Sequence, residues 1–113
     1  MKELTSQQDW DACLAQSEDA PVFVFKHSTT CPISAGAYKR VQDFTKEHDD
    51  IPEFVLVKVI ESRPVSNAIA ESLGVRHQSP QLILVKDGKS VWSASHHGIH
   101  GDAIEKALTD LAA

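Results

Sequence analysis

Three short runs of apolar, β-prone residues limit what this chain can fold into: Val22–Phe25 (VFVF), Phe54–Ile60 (FVLVKVI) and Leu82–Val85 (LILV). None alternates apolar and polar residues as a half-solvated strand does, so each reads as a strand covered on both faces. The stretches between them carry the helical period instead. Trp10, Cys13 and Leu14 stand at i, i+3 and i+4 and give a helix over Ser6 to Gln16 one buried face, ahead of a break at Pro21. Ala37, Tyr38, Val41, Phe44 and Thr45 recur at the same spacing up to about His48, and Pro52 ends that segment. Pro64 opens a third helix striped by Val65, Ile69 and Leu73, and Gly74 closes it. Ile104, Ala107, Leu108 and Leu111 mark a fourth, C-terminal helix. Asp87-Gly88, between LILV and Val91–Ala94, is a strong hairpin signal, and the initial MKEL is a weak edge-strand candidate.

The resulting order, α-β-α-β-α-β-β-α, predicts an α/β fold with a central mixed β-sheet flanked by helices. Strands joined through helices are expected to pair in parallel, and the terminal hairpin to add an antiparallel strand. No repeat, low-complexity run or Pro/Gly/Ser-rich linker interrupts the pattern, so residues 1–113 read as one domain. A net charge of −5 argues against broad binding to nucleic acid or to an anionic membrane. No apolar run approaches the ~20 residues of a membrane-spanning helix. The acidic start MKELTSQQDWDACLAQSED lacks the apolar core of a signal peptide, so the chain reads as cytoplasmic. Two cysteines, Cys13 and Cys31, make no disulfide scaffold; in a reducing compartment each is either a packed thiol or a reactive one.

Cys31 lies in 25-FKHSTTCPISAGAY-38, where the first strand gives way to a helix. Pro32 suits the first helical position, because its missing N–H would lack a partner there anyway. Cys31 then stands at or beside the N-cap, with the free amides of Ile33 and Ser34 and the positive helix end around its sulfur. Such a place favours thiolate over thiol and makes the cysteine nucleophilic. Ser34, one turn on, is positioned to donate a further hydrogen bond to that thiolate. The plainer reading makes Cys31 a small buried residue and Thr30 an ordinary N-cap. Yet a core cysteine needs no helix start, no following proline and no polar S-T-T approach. Cys13 is the reverse case, since it shares a helical face with Trp10 and Leu14 and reads as packed.

Several separated blocks resemble one known family. The passage 73-LGVRHQSPQLILVKDGK-89 resembles the thioredoxin segment in which a cis-proline faces the active cysteine, with Pro80 as that proline. T-C-P-I-S at 30–34, V-I-E-S-R-P at 59–64, G-V-R-H-Q-S-P at 74–80 and V-W-S-A-S-H at 91–96 resemble the YtxJ-type monothiol bacilliredoxins. That resemblance implies a thioredoxin-like fold and thiol–disulfide exchange: removal of bacillithiol from S-bacillithiolated client proteins through a mixed disulfide on Cys31. It implies bacillithiol as co-substrate and no cofactor; the oligomeric state is left open by the sequence, with a monomer or weak dimer as the expectation. Thr30, Pro32, Ser79 and Pro80 would border the bound thiol. Lys26 and His27, just before Cys31, read either as cations that favour its thiolate or meet a ligand carboxylate, or as a solvated loop pair; bacillithiol carries a malate group, so Arg63, Arg76 and Lys26 become candidates for meeting its carboxylates.

The chemistry of the residues agrees. With serine at the resolving position no internal disulfide can form, and a single nucleophile is suited to a mixed disulfide with a small thiol. His96, His97 and His100 match no closed zinc pattern, so no metal is expected. Their segment reads as a loop with an N-cap at Gly101-Asp102, beside the thiol groove. Three rivals stay open. A non-catalytic thioredoxin-like redox sensor would show an unactivated thiol. A thiol peroxidase, faintly suggested by Ser28-x-x-Cys31, would consume peroxide quickly. An iron–sulfur carrier would colour on reconstitution.

Overall fold

A computed structural model describes all 113 residues, 1–113. Its strands are β1 (Lys2–Glu3), β2 (Val22–His27), β3 (Glu53–Lys58), β4 (Gln81–Lys86) and β5 (Lys89–Ser95). Its helices are α1 (Gln7–Asp19), α2 (Pro32–Glu47), α3 (Arg63–Leu73) and α4 (Gly101–Ala112), with a 3-10 turn at His96–Gly98. The three apolar runs supply the inner strands β3, β2 and β4 of one five-stranded mixed sheet of order β1-β3-β2-β4-β5. MKEL does form an edge strand, with Lys2 and Glu3 pairing in parallel with Val55 and Leu56.

Strand periodicity divides the core in two. Phe23 and Phe25 point to one face, where they pack with Ala37, Val41 and Phe44 of α2 and with Ile104 and Ala107 of α4. Val22 and Val24 point to the other, against Trp10 and Cys13 of α1 and Val65 and Ile69 of α3. All six β2 residues are buried, which is why VFVF shows no alternation. The helix starts follow local chemistry. Ser6 caps α1 by accepting the Asp9 N–H at 3.1 Å, and His100 rather than Asp102 caps α4, its Nδ1 accepting the Ala103 N–H at 3.3 Å.

One expectation fails. β2 pairs with β3 in parallel, but β4 runs antiparallel to β2, with Gln81 opposite Lys26. The connection explains this. Eleven residues of α3 carry the chain back by about 16 Å. The extended stretch 74–80 that follows can span roughly 23 Å, enough to return to the sheet end from which α3 set out. A shorter loop would have delivered β4 parallel. The Asp87-Gly88 turn does form the hairpin, with φ of 54° and 71° as a type I′ turn requires.

Gly74 ends α3 at φ +64°, with open space where a Cβ would stand. Gly74→Ala is therefore expected to cost about 1 kcal/mol, a purely conformational loss, measurable as a lower urea midpoint with an unchanged slope.

Candidate active site around Cys31

The end of the sheet where β2 and β5 finish and β4 begins gathers most of the residues singled out in the sequence, because Lys26, Gln81 and Ser95 are neighbours across three strands. Cys31 is the N-cap of α2, with Pro32 at the first helical position. Its N–H donates to the Ser28 carbonyl at 3.2 Å and its carbonyl accepts the Ala35 N–H at 3.0 Å, closing the first turn. The side chain is half-buried and makes no capping hydrogen bond. The helix start therefore keeps free amides and its positive end beside the sulfur. Thr29, Thr30, Pro32 and Ile33 are exposed around it. The Thr29 hydroxyl donates to Glu61 at 3.0 Å and ties the approach loop to the end of β3. The amide of Glu61 itself and that hydroxyl hold the carboxyl below its ordinary range.

Ser34 does not take the role expected of it. It is fully buried, and its oxygen accepts the Ser28 N–H at 2.9 Å and lies 2.7 Å from His27 Nδ1. The hydroxyl is thus committed away from the Cys31 sulfur. The reason is parity: His27, the last residue of β2, faces the α2 side with Phe25 and meets the first turn of that helix. His27 is buried, stacked on Phe25 at 5.7 Å and against Tyr38 at 4.8 Å. Burial pushes its pKa below the ordinary histidine value; Glu61 opposes that and Lys58 adds to it.

Lys26 is the second correction. The same parity points it to the α3 side, where it is fully buried and cannot meet a ligand carboxylate at the surface. Its ammonium donates to the Ser66 carbonyl at 3.1 Å and lies 3.2 Å from His77 Nδ1. Burial lowers its pKa from 10.5 to about 8. The unfolded chain therefore binds this proton more tightly than the folded one. The destabilisation is complete below about pH 8 and is relieved as pH rises from about 8 to 10.5. Lys26→Met is expected to raise the urea midpoint at pH 7 and to abolish the rise in stability across that window. Urea titrations at pH 7 and pH 10 check both.

The Ser79–Pro80 peptide bond is cis, as the resemblance implied. Pro80 is buried, and the Ser79 hydroxyl is buried without a partner. Arg76 is exposed, and its carbonyl accepts from Gln81 Nε2 at 3.1 Å. Arg63 is exposed at the start of α3. On the other flank the His96 N–H donates to the Pro80 carbonyl at 3.1 Å. Arg40 of α2 grips the adjoining turn, through Nε to the Ile99 carbonyl at 2.6 Å and Nη2 to the His96 carbonyl at 3.2 Å. Cys13 sits on the opposite face of the sheet from α2, buried among Trp10 and Val65. Burial, with Glu53 adding and Lys2 opposing, pushes its thiol up to about 11.

A nucleophile-bearing helix start, a cis-proline at the neighbouring strand and a mixed sheet between paired helices are the parts of a thioredoxin-type site. The model of the family described as monothiol bacilliredoxin BrxC matches residues 2–104. The chain belongs to the monothiol bacilliredoxin family. A solved structure described as a candidate oxidoreductase with a thioredoxin fold is 34% identical to this bacilliredoxin, with TM-score 0.82, covering 95% of this chain and 92% of that one. Thioredoxin from Fasciola hepatica shares the fold at TM-score 0.76 and 19% identity, over 97% and 98% of the two chains. Mitochondrial thioredoxin 3 from Saccharomyces cerevisiae does so at 0.73 and 19%, over 97% and 94%. Family and fold together make this bacilliredoxin a thiol–disulfide oxidoreductase of thioredoxin fold. No helix is long and apolar enough to cross a membrane.

Sequence reasoning missed Arg40 and His77, which act across elements far apart in the chain. It placed Tyr38 on the packed face of its helix without its contact to His27. Only the alternation within VFVFKH carried a signal, which assigns Lys26 and His27 to opposite faces.

Proposed function

We propose that this bacilliredoxin removes bacillithiol from S-bacillithiolated proteins, with Cys31 as the nucleophile. The observation that supports this best is a half-buried thiol at an uncapped helix start with a buried hydroxyl at 34, in place of a second thiol. The Cys31 thiolate attacks the bacillithiol sulfur of the client's mixed disulfide. A new sulfur–sulfur bond forms as the old one breaks, and the client leaves as its thiolate. A second small thiol then attacks the Cys31 adduct, releasing Cys31 and a small-thiol disulfide. Neither step needs a cofactor. The Ser79–Pro80 segment, with Thr30 and Pro32, borders the cysteinyl part, and exposed Arg63 and Arg76 are the cations offered to the malate carboxylates. The partners are small thiol and thiolated clients, the setting cytoplasmic, and the protein a monomer or weak dimer.

Incubation with a bacillithiolated client, followed by intact mass, tests this. The adduct mass is expected to leave the client and appear on this protein. If the client keeps its adduct and Cys31 gains none, the proposal is wrong. Oxidation of Cys31 by peroxide without transfer would favour a redox sensor instead.

A further inference from the structure

Arg40 stands on the helix that Cys31 caps, and side chains on a helix lean toward its N-terminus. A Cβ at Gly36, one turn nearer Cys31, would stand 3.4 Å from Arg40 Nη1, so the guanidinium folds back over that turn. From there Nε donates to the Ile99 carbonyl at 2.6 Å and Nη2 to the His96 carbonyl at 3.2 Å. A guanidinium is a rigid planar fork, so meeting two carbonyls at once fixes both the distance and the angle of the turn they belong to. Ile99 is wholly buried in the core under α2 and α4, which anchors one end of that turn. The other end is His96, exposed, with a φ of +54° that residues bearing a Cβ rarely take. The His96 N–H donates to the Pro80 carbonyl at 3.1 Å, one step beyond the Gln81–Ser95 pair at the end of the β4–β5 ladder. One guanidinium and one residue of unfavourable φ thus connect the Cys31 helix to the segment that carries Pro80.

We infer that Arg40 is a positioning residue for thiol–disulfide exchange, setting the placement of the Ser79–Pro80 segment relative to the helix of Cys31. Its bonds go to backbone carbonyls and not to the reacting sulfur. It acts through the His96 backbone, whose carbonyl it holds and whose N–H in turn holds Pro80. Attack on a disulfide needs the entering and leaving sulfurs in line, so a small displacement of the segment bordering the disulfide costs rate. A reagent that needs only the thiolate is indifferent to that displacement. This role rests on the reading of Cys31 as nucleophile and of Ser79–Pro80 as a border of the bound thiol. It also gives Gly36 a reason to stand inside a helix, where glycine is otherwise unfavourable.

Two reagents on the full chain supply the test. Oxidised glutathione presents a cysteinyl disulfide: the Cys31 thiolate bonds one sulfur as the other glutathione leaves as its thiolate. Iodoacetamide asks only for the thiolate. Arg40→Lys keeps the charge but cannot hold both carbonyls in one plane. It is expected to slow glutathionylation of Cys31 roughly tenfold while changing its alkylation by less than about twofold. A full glutathionylation rate in Arg40→Lys, or an equal loss with both reagents, overturns the role. Adding His96→Gly supplies the positive φ without a Cβ and should recover more than half of the lost rate; no recovery counts against action through the turn. Amide hydrogen exchange gives a second reading, which needs no reaction. In Arg40→Met the His96 amide should lose protection about tenfold while the amides of β2 keep theirs, and unchanged His96 protection overturns the link to Pro80. If Cys31 takes glutathione but no adduct from a bacillithiolated client, the proposed substrate fails and the role of Arg40 is still decided by these rates.

Discussion

Cys31→Ser is expected to reduce adduct transfer from a bacillithiolated client to the rate seen with no protein added. A hydroxyl at the same helix start lacks the acidity and nucleophilicity of the thiol, and no other thiol can replace it. Cys13 is 3% exposed, lies across the sheet from α2, and has its pKa raised to about 11, so almost none is thiolate at pH 7. Cys13→Ala should leave transfer unchanged and cost about 1 kcal/mol of stability, as small buried truncations do. Stopped-time mass spectrometry of the three proteins separates these outcomes. Transfer that survives in Cys31→Ser would remove Cys31 from the mechanism.

The second large effect is on the fold. Phe23→Ala is expected to cost ~3–5 kcal/mol, the range for truncating a buried phenylalanine. Phe23 is wholly buried at the centre of the sheet, stacked on Phe54 at 4.5 Å and edge-on to Trp92 at 6.2 Å. It joins residues of β2, β3 and β5, so the cavity is walled by strands that cannot collapse inward without losing register. Against a total stability of about 5–15 kcal/mol for a domain, a substantial part of the unfolding free energy disappears. Urea denaturation followed by Trp fluorescence reads the change. A loss under 1 kcal/mol would mean that the face shared with α2 and α4 repacks freely.

Much of the architecture was legible along the chain. The three inner strands, the four helices, the Asp87-Gly88 hairpin and the Gly74 cap all follow from local signals of period, capping and turn chemistry. Cys31 as an N-cap before Pro32 was legible for the same reason, since a helix start is a property of a few consecutive residues. Ser34 and Lys26 were misread because side-chain partners depend on which face of the sheet a residue takes and which helix covers it. Ser34 lost its expected bond to the sulfur because His27, seven positions earlier, arrives beneath it. Lys26 was directed inward to Ser66 and His77, from two other elements.

By itself, then, the sequence determined the kind and order of the elements, the helix start that carries Cys31, and the absence of a second thiol at 34. The direction of β4, the burial of Lys26, the committed Ser34 hydroxyl and the Arg40 grip on the His96–Ile99 turn were decided only in three dimensions. Local free energies of a few consecutive residues select helices, caps and turns. Partners across elements are selected by where loops such as 74–80 return the chain, and no short stretch of sequence encodes that.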